Sequence, residues 1–194
     1  MEKRIVEREY VRRRLEGACG MQPGGSKGTR PGVPAAVLVG LVGHADGPWV
    51  ILTQRTAHLK NHPAEVSFPG GRIEPEDDGP EAAALREAFE EIGLDPVRVE
   101  LLGCLPPYRT VTDFCVSPVV GWIEPPVAFV PDAEEVADVF EVPLSFILDA
   151  ANHHEESIFW RGEDHSYFVL PYEGRRIWGA TAGMLVNFAQ ILGF

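Results

Sequence analysis

Four residues in one short stretch, Arg86, Glu87, Glu90 and Glu91, have the types and spacing to hold a divalent cation. On a helix the three glutamates fall together on one side, with Arg86 one turn from Glu90. Each like-charge pair so placed costs about 0.2–0.5 kcal/mol. Glu90 and Glu91 also occupy the negative end of the helix dipole, where cations are preferred. One reading is a solvated acidic face relieved by Arg86. The other is a metal site, since Mg²⁺ takes a few carboxylate oxygens and completes its shell with water and substrate phosphate. Glu87 and Glu91, one turn apart, are then the natural ligands, and Glu90 would hold a second ion or polarise a metal-bound water.

The helix that must carry these residues is predicted over 80–92. Pro80 suits its first position and Gly93 its left-handed stop. Leu85, Ala88, Phe89 and Ile92, at i, i+3, i+4 and i+7, predict the core face. Upstream, 33–43 and 49–54 read as strands joined by a turn over 44–47. A long loop over 55–79 follows, carrying Arg55, Lys60 and His62 and the run Phe68-Pro69-Gly70-Gly71. Loops of that length inside compact domains are usually functional. Further strands are predicted over 99–105, 114–122, 136–142, 157–160, 167–170 and 175–178, with a helix starting at Pro143 and another over 181–192. The sum is a mixed α/β domain with helices covering a sheet.

The chain has 194 residues, 45% hydrophobic and 24% charged. That is globular composition, and one domain is the natural expectation. We divide it into a charged N-terminal helix and Gly/Pro-rich linker (1–32) and a main domain (33–194). Ile5, Val6, Val11 and Leu15 give the N-terminal helix a docking face. The apolar run from Ala35 to Val42 is far short of the roughly 20 residues of a membrane span. The N-terminus lacks an apolar core for secretion. Cys19, Cys104 and Cys115 fit no zinc spacing and read as free thiols of a reducing compartment, so the cytoplasm is expected. The formal charge of −12 divides into +4 over residues 1–30 and −16 over the remainder. Such a body repels polyanions and disfavours a nucleic-acid partner. A small anionic substrate requires local cations or a metal.

Arg86-Glu87-Ala88-Phe89-Glu90-Glu91-Ile92-Gly93-Leu94 resembles the core of the Nudix box, and Gly70-Gly71 upstream strengthens the match. The box departs from the usual form in three ways. Asp78 stands where a glutamate is expected, Gly71 lies one residue further from the arginine than usual with Arg72 in its place, and Ala88 is a small aliphatic. Asp77 or Asp78 would stand in for the early box glutamate. The resemblance implies an α/β/α sandwich with a mixed β-sheet (α+β) and metal-dependent hydrolysis of a nucleoside diphosphate linked to another moiety. It assigns Glu87, Glu91, Glu90 and the carbonyl of Gly71 to Mg²⁺ or Mn²⁺. Arg86 would lock the carboxylates by ion pairing.

The upstream run Ile51-Leu52-Thr53-Gln54-Arg55-Thr56, then Lys60, Ala64 and Phe68-Pro69-Gly70-Gly71, is similar to the signature of the coenzyme A pyrophosphatase branch. Ile51, Thr56, Lys60 and Ala64 depart from it, and Ala64 matters most because alanine resists positive φ. Arg176-Ile177-Trp178-Gly179-Ala180-Thr181 resembles the branch's C-terminal segment. The substrate implied is coenzyme A or a derivative, held by Arg55, Lys60, His62 and Gly70. Its products would be 4′-phosphopantetheine and adenosine 3′,5′-bisphosphate. Alternatives on the same fold are ADP-ribose, reduced nicotinamide dinucleotides or dinucleoside polyphosphates. An isoprenoid diphosphate isomerase is disfavoured by the complete box, and a non-catalytic nucleotide-binding module would require lost carboxylates. For a general base outside the box, as the resemblance implies, we select Glu135 over Glu134, the alternative being an exposed acidic turn after Pro131-Asp132. His153 and His154 are read as solvent-exposed, and Trp122, Trp160 and Trp178 as core or sheet residues. Partners are thus a small molecule, with neither nucleic acid nor membrane, and a homodimer left open.

Overall fold

A computed structural model describes residues 6–21, 24–25, 32–59, 63–160 and 163–194. The order is α1 (Arg8–Leu15), β1 (Gly24–Gly25), β2 (Val33–His44), β3 (Gly47–Arg55), β4 (Val66–Ser67), β5 (Gly70–Arg72) and α2 (Pro80–Ile92). There follow β6 (Val99–Cys104), β7 (Tyr108–Arg109), β8 (Phe114–Ile123), β9 (Val136–Pro143), α3 (Leu144–Ile147), β10 (His154–Trp160), β11 (Glu163–Tyr172), β12 (Arg175–Trp178) and α4 (Gly179–Leu192). Among the described residues, β1 to β9 form one nine-stranded mixed sheet, and β10, β11 and β12 a separate antiparallel one.

The centre of the large sheet is β2. It pairs parallel with β8 from Val33↔Phe114 to Val42↔Ile123, and antiparallel with β3 and with β5. Between Ala35 and Val42 all its residues but Val37 are buried, on both faces, as the continuous apolar run requires. Ala36, Leu38, Val42 and Ile51 share one apolar cluster with Ala83, Ala84, Ala88 and Ile92 of α2. Val39, Leu41, Val50 and Leu52 share the other with Leu185, Phe188 and Leu192 of α4. The sheet is therefore the middle layer between helices.

α2 begins at Pro80 and ends at Gly93, whose φ is +66°. The amide of Gly93 donates to the Phe89 carbonyl at 2.9 Å and that of Leu94 to Ala88 at 3.3 Å, which closes the helix end. The core face is the expected one in part, with Ala88 and Ile92 buried and Leu85 packed against the same apolar cluster. Phe89 is 56% exposed, whereas Ala83, Ala84, Ala88, Ile92 and Glu91 are buried. The helix is rotated so that its alanines lie against the sheet. Small side chains there permit close approach, and the rotation carries Glu91 inward.

The long loop contains two short strands missed in the sequence, β4 and β5, too brief for an alternating pattern. Ala64 in this loop has φ +57°. Its carbonyl accepts a hydrogen bond from Gln54 Nε2. A left-handed alanine costs about 1–2 kcal/mol, partly offset by the entropy a glycine loses on folding. Ala64→Gly should therefore stabilise the protein by about 0.5–1 kcal/mol. Urea unfolding checks this, and a lowered midpoint would refute it.

Two further expectations are corrected. Cys19 and Cys104 are paired as a disulfide with Cα atoms 5.3 Å apart, leaving Cys115 free. The turn after α1 brings Cys19 against the end of β6, a proximity that spacing alone did not reveal. The cysteine count thus no longer argues for a reducing compartment. His153 is half-buried, its ring nitrogen 2.7 Å from the Ile147 carbonyl, rather than solvent-exposed. α1 packs Val11 and Leu15 into the core; Ile5 lies outside the described residues. Trp122 is buried and Trp178 partly so. Among the described residues no helix is long and apolar enough to cross a membrane.

Candidate active site

A cleft of about 450 Å³ opens between β2, β5, α2 and the start of β9. Arg55, Gly70, Gly71, Glu87, Glu91 and Glu135 line it, joined by Arg72 and Phe114. Six residues selected from sequence thus converge from four separate parts of the chain. Lys60 and His62 lie outside the described residues. Glu90 is not among the lining residues. It is exposed at the rim, 3.0 Å from Arg86 Nη1.

Each lining residue has a local reason for its place. Arg55 ends β3, and its Nη1 lies 3.7 Å from Glu91 Oε1. Gly70 has φ +154°, and a Cβ there would collide with the backbone of β2. Its amide donates to Glu91 Oε2 at 3.2 Å. Glu135 precedes β9, exposed at the mouth. Thr56 fixes that turn: its amide donates to the Glu135 carbonyl and its hydroxyl to the Glu134 carbonyl, both at 3.0 Å. Thr56 is buried; in the sequence it stood out only as a departure from a signature. Glu134 is exposed and does not line the cleft.

Arg86 lies beneath the carboxylates. Its Nε and Nη2 each donate to one oxygen of Asp77 at 2.9 Å, and Nη1 donates to Glu87 Oε1 at 3.0 Å. Nη2 also donates to the Arg72 carbonyl at 3.1 Å. A planar fork is suited to this set of acceptors. Asp77, rather than Asp78, holds the arginine. Arg86 and the amide of Glu74 keep the Asp77 carboxyl below the ordinary carboxylate range.

The two central glutamates behave in the opposite sense. Burial pushes Glu91 up to about 7, opposed by the Gly70 amide and Arg55 and reinforced by Glu87 and Glu135. Burial also raises Glu87, offset by Arg86, with Glu90 and Glu135 adding repulsion. Both shifts disfavour the ionised form, and a bound cation would favour it. Gly71 bears on the same point, because a Cβ there would stand 2.5 Å from Glu87 Oε1. Among the described residues no three acidic, histidine or cysteine side chains are gathered closely enough to form a ready metal cluster. Two carboxylates completed by water and substrate oxygens nevertheless suit Mg²⁺. The residues present fit such an ion.

Gly71→Ala should keep the fold, because the clash meets the free end of a side chain, yet displace Glu87. A misplacement of about 1 Å costs on the order of 10²-fold in rate. Steady-state kinetics beside thermal melting check this, and unchanged kcat would refute it.

A nucleotide-sized cleft floored by an Arg-Glu-x-x-Glu-Glu helix, between layers of a mixed sheet and helices, defines a pyrophosphohydrolase of the Nudix class. The chain belongs to this family: the NUDIX domain model matches residues 32–161. Over 159 residues, 82% of both chains, it is 44% identical to a protein named uncharacterized Nudix hydrolase NudL from Enterobacter sp. strain 638. The protein of the same name from Escherichia coli K12 is 42% identical over the same shares. Among solved structures, a MutT/nudix family protein from Enterococcus faecalis aligns with TM-score 0.50 and 17% identity. That alignment covers 96% of this chain and 78% of the other, and supports the fold alone. The chain is thus a Nudix hydrolase acting on pyrophosphate bonds of nucleotide derivatives, a family served by divalent cations.

Phe114 and Arg72 were missed as site residues. A basic residue directly after Gly71 in an acidic body was a usable signal. Phe114 had none, since only the β2–β8 pairing brings it to the cleft.

Proposed function

We propose that this hydrolase cleaves the pyrophosphate bond of coenzyme A and its derivatives. The products are 4′-phosphopantetheine, or its acyl form, and adenosine 3′,5′-bisphosphate. The observation that carries the reading is the convergence of the signature residues on the acidic helix. Arg55 and the Gly70 amide both reach Glu91, and Gly71 abuts Glu87. Arg55, Gly70 and Gly71, which resemble the coenzyme A branch signature, line the same cleft as Glu87 and Glu91, and this supports the reading.

Glu87 and Glu91, with the Gly71 carbonyl, would hold Mg²⁺ or Mn²⁺, and Glu90 would hold a second ion or polarise water. When bound, the metal neutralises phosphate oxygens and acidifies water. Glu135 at the mouth accepts the proton of the attacking water, with Thr56 holding its backbone. Arg55 binds the pyrophosphate, where guanidinium geometry matches phosphate oxygens. Arg86 positions Glu87 and Asp77 and touches no substrate. Phosphoryl transfer needs mainly such positioning and charge neutralisation.

A mass-spectrometric product assay tests this. The protein is given coenzyme A, ADP-ribose and NADH in parallel, with Mg²⁺, Mn²⁺ or EDTA. We expect adenosine 3′,5′-bisphosphate and 4′-phosphopantetheine, abolished by EDTA. Turnover of another dinucleotide, with coenzyme A untouched, would overturn the branch assignment and leave the hydrolytic chemistry standing.

A further inference from the structure

The geometry points to a clasp for the substrate's nucleobase, formed by the Phe114 ring and the Arg72 guanidinium on one wall of the cleft. The inference rests on the reading of a nucleotide derivative as substrate, and names where its base is held.

Both side chains line the cleft that contains Glu87 and Glu91. The Arg72 guanidinium lies over the Phe114 ring, 5.7 Å from its centroid. The backbone of each residue is fixed. Arg72 sits in β5 opposite Ala35, and its carbonyl accepts from Arg86. The amide of Phe114 donates to Thr110 Oγ1 and its carbonyl accepts from the Thr110 amide, both at 3.0 Å. The preceding residue, Asp113, has φ +64° and accepts from the Val33 amide at 2.7 Å. Phe114 is thus a half-buried aromatic on a hydrogen-bonded backbone, lining a polar cleft.

The Arg72 side chain is exposed, and among the described residues no acid pairs with its guanidinium. A flat base between ring and guanidinium needs about 7 Å, two contact spacings of about 3.5 Å. Arg72 must then withdraw only a little, which its long, exposed side chain permits. The base would gain aromatic stacking on one face and a cation on the other. Arg72 also follows Gly71, which abuts Glu87. A base held here therefore leaves its diphosphate next to the acidic helix.

Calorimetric binding of ADP and of inorganic pyrophosphate at fixed Mg²⁺ separates base from phosphate recognition. Phe114→Leu should weaken ADP about tenfold and leave pyrophosphate unchanged. Phe114→Trp should retain ADP affinity. Arg72→Gln, at an exposed side chain, should weaken ADP more than pyrophosphate, and carries the comparison if Phe114→Leu fails to fold. Equal losses for the two ligands, no loss of ADP binding, or no ADP binding by the wild type would overturn the clasp. Turnover of ADP-ribose instead of coenzyme A would overturn the substrate reading but not the clasp, because both substrates contain an ADP moiety.

Discussion

Glu91→Gln should lower hydrolysis by at least about 10³-fold and yet make the metal-free protein more stable at pH 8. The loss in rate follows from removing a buried carboxylate at the place where a divalent ion would neutralise several kcal/mol of transition-state charge. The gain in stability follows from proton linkage. Glu91 is 5% exposed, and its carboxyl is raised from 4.5 to about 7 by burial. Below pH 4.5 the folded and unfolded chains both carry the proton and no penalty arises. As pH rises from 4.5 to 7 the unfolded chain ionises first, and the native state loses up to about 3 kcal/mol. The loss persists above pH 7. Glutamine carries no charge and keeps an acceptor for the Gly70 amide. In EDTA the variant should therefore match the wild type near pH 4.5 and exceed it at pH 8, with Mg²⁺ narrowing the gap by stabilising the wild type selectively. Denaturant titrations at the two pH values decide the matter. A variant less stable than wild type at pH 8 in EDTA would sink the account.

The second large effect belongs to Arg86, which makes five hydrogen bonds to Asp77, Glu87, Glu90 and the Arg72 carbonyl. Arg86→Met keeps the apolar stem but leaves three carboxylates without their cation. We expect destabilisation of about 2–4 kcal/mol and a 10–100-fold fall in kcat/KM through misplacement of Glu87. Arg86→Lys should recover little, because an ammonium cannot serve both oxygens of Asp77 as a planar fork does. The pH dependence distinguishes this from simple loss of packing. Asp77 is held below its usual value in the folded protein, so its contribution is present above pH 3.8 and lost as pH falls through the depressed value. Arg86→Met removes that contribution, and the variant should unfold in acid at a higher pH than the wild type. Identical acid limbs would refute the role given to the Asp77 pair.

The acidic helix was legible because its boundaries are written in local chemistry. Pro80 and Gly93 are the observed first residue and cap, and the strands over 33–43, 114–122 and 175–178 were found within a residue or so. Its orientation was legible only in part, since Ala88 and Ile92 face the core as expected and Phe89 does not. Periodicity treated Phe89 as core because it is large and apolar, whereas Ala83, Ala84, Ala88 and Ile92 fill the face against the sheet and Phe89 is left in solvent. The carboxylates, Arg55 and the glycines could be named from their types and spacing. Phe114 and Thr56 could not, because their roles depend on pairing across the sheet and on carbonyls 78 residues away in the case of the Thr56 hydroxyl. The Cys19–Cys104 link is of the same kind, joining positions separated by 85 residues. Ala64 is an intermediate case. Its type flagged a conformational conflict, and its φ of +57° shows the chain accepting that conflict.

The parallel register of β2 on β8, which runs from Val33↔Phe114 to Val42↔Ile123, has a consequence for how the enzyme comes into being. The acidic helix, the glycine loop and Arg55 all lie in the long excursion between these two strands, and Phe114 and Glu135 come after it. Closing such an excursion costs chain entropy before its contacts repay it, and proteins dominated by non-local pairing fold slowly. The catalytic apparatus should thus be absent until the β2–β8 seam zips, however early α2 becomes helical. During refolding, far-ultraviolet ellipticity should recover ahead of Mg²⁺-dependent turnover, and a peptide spanning the acidic helix alone should be inert.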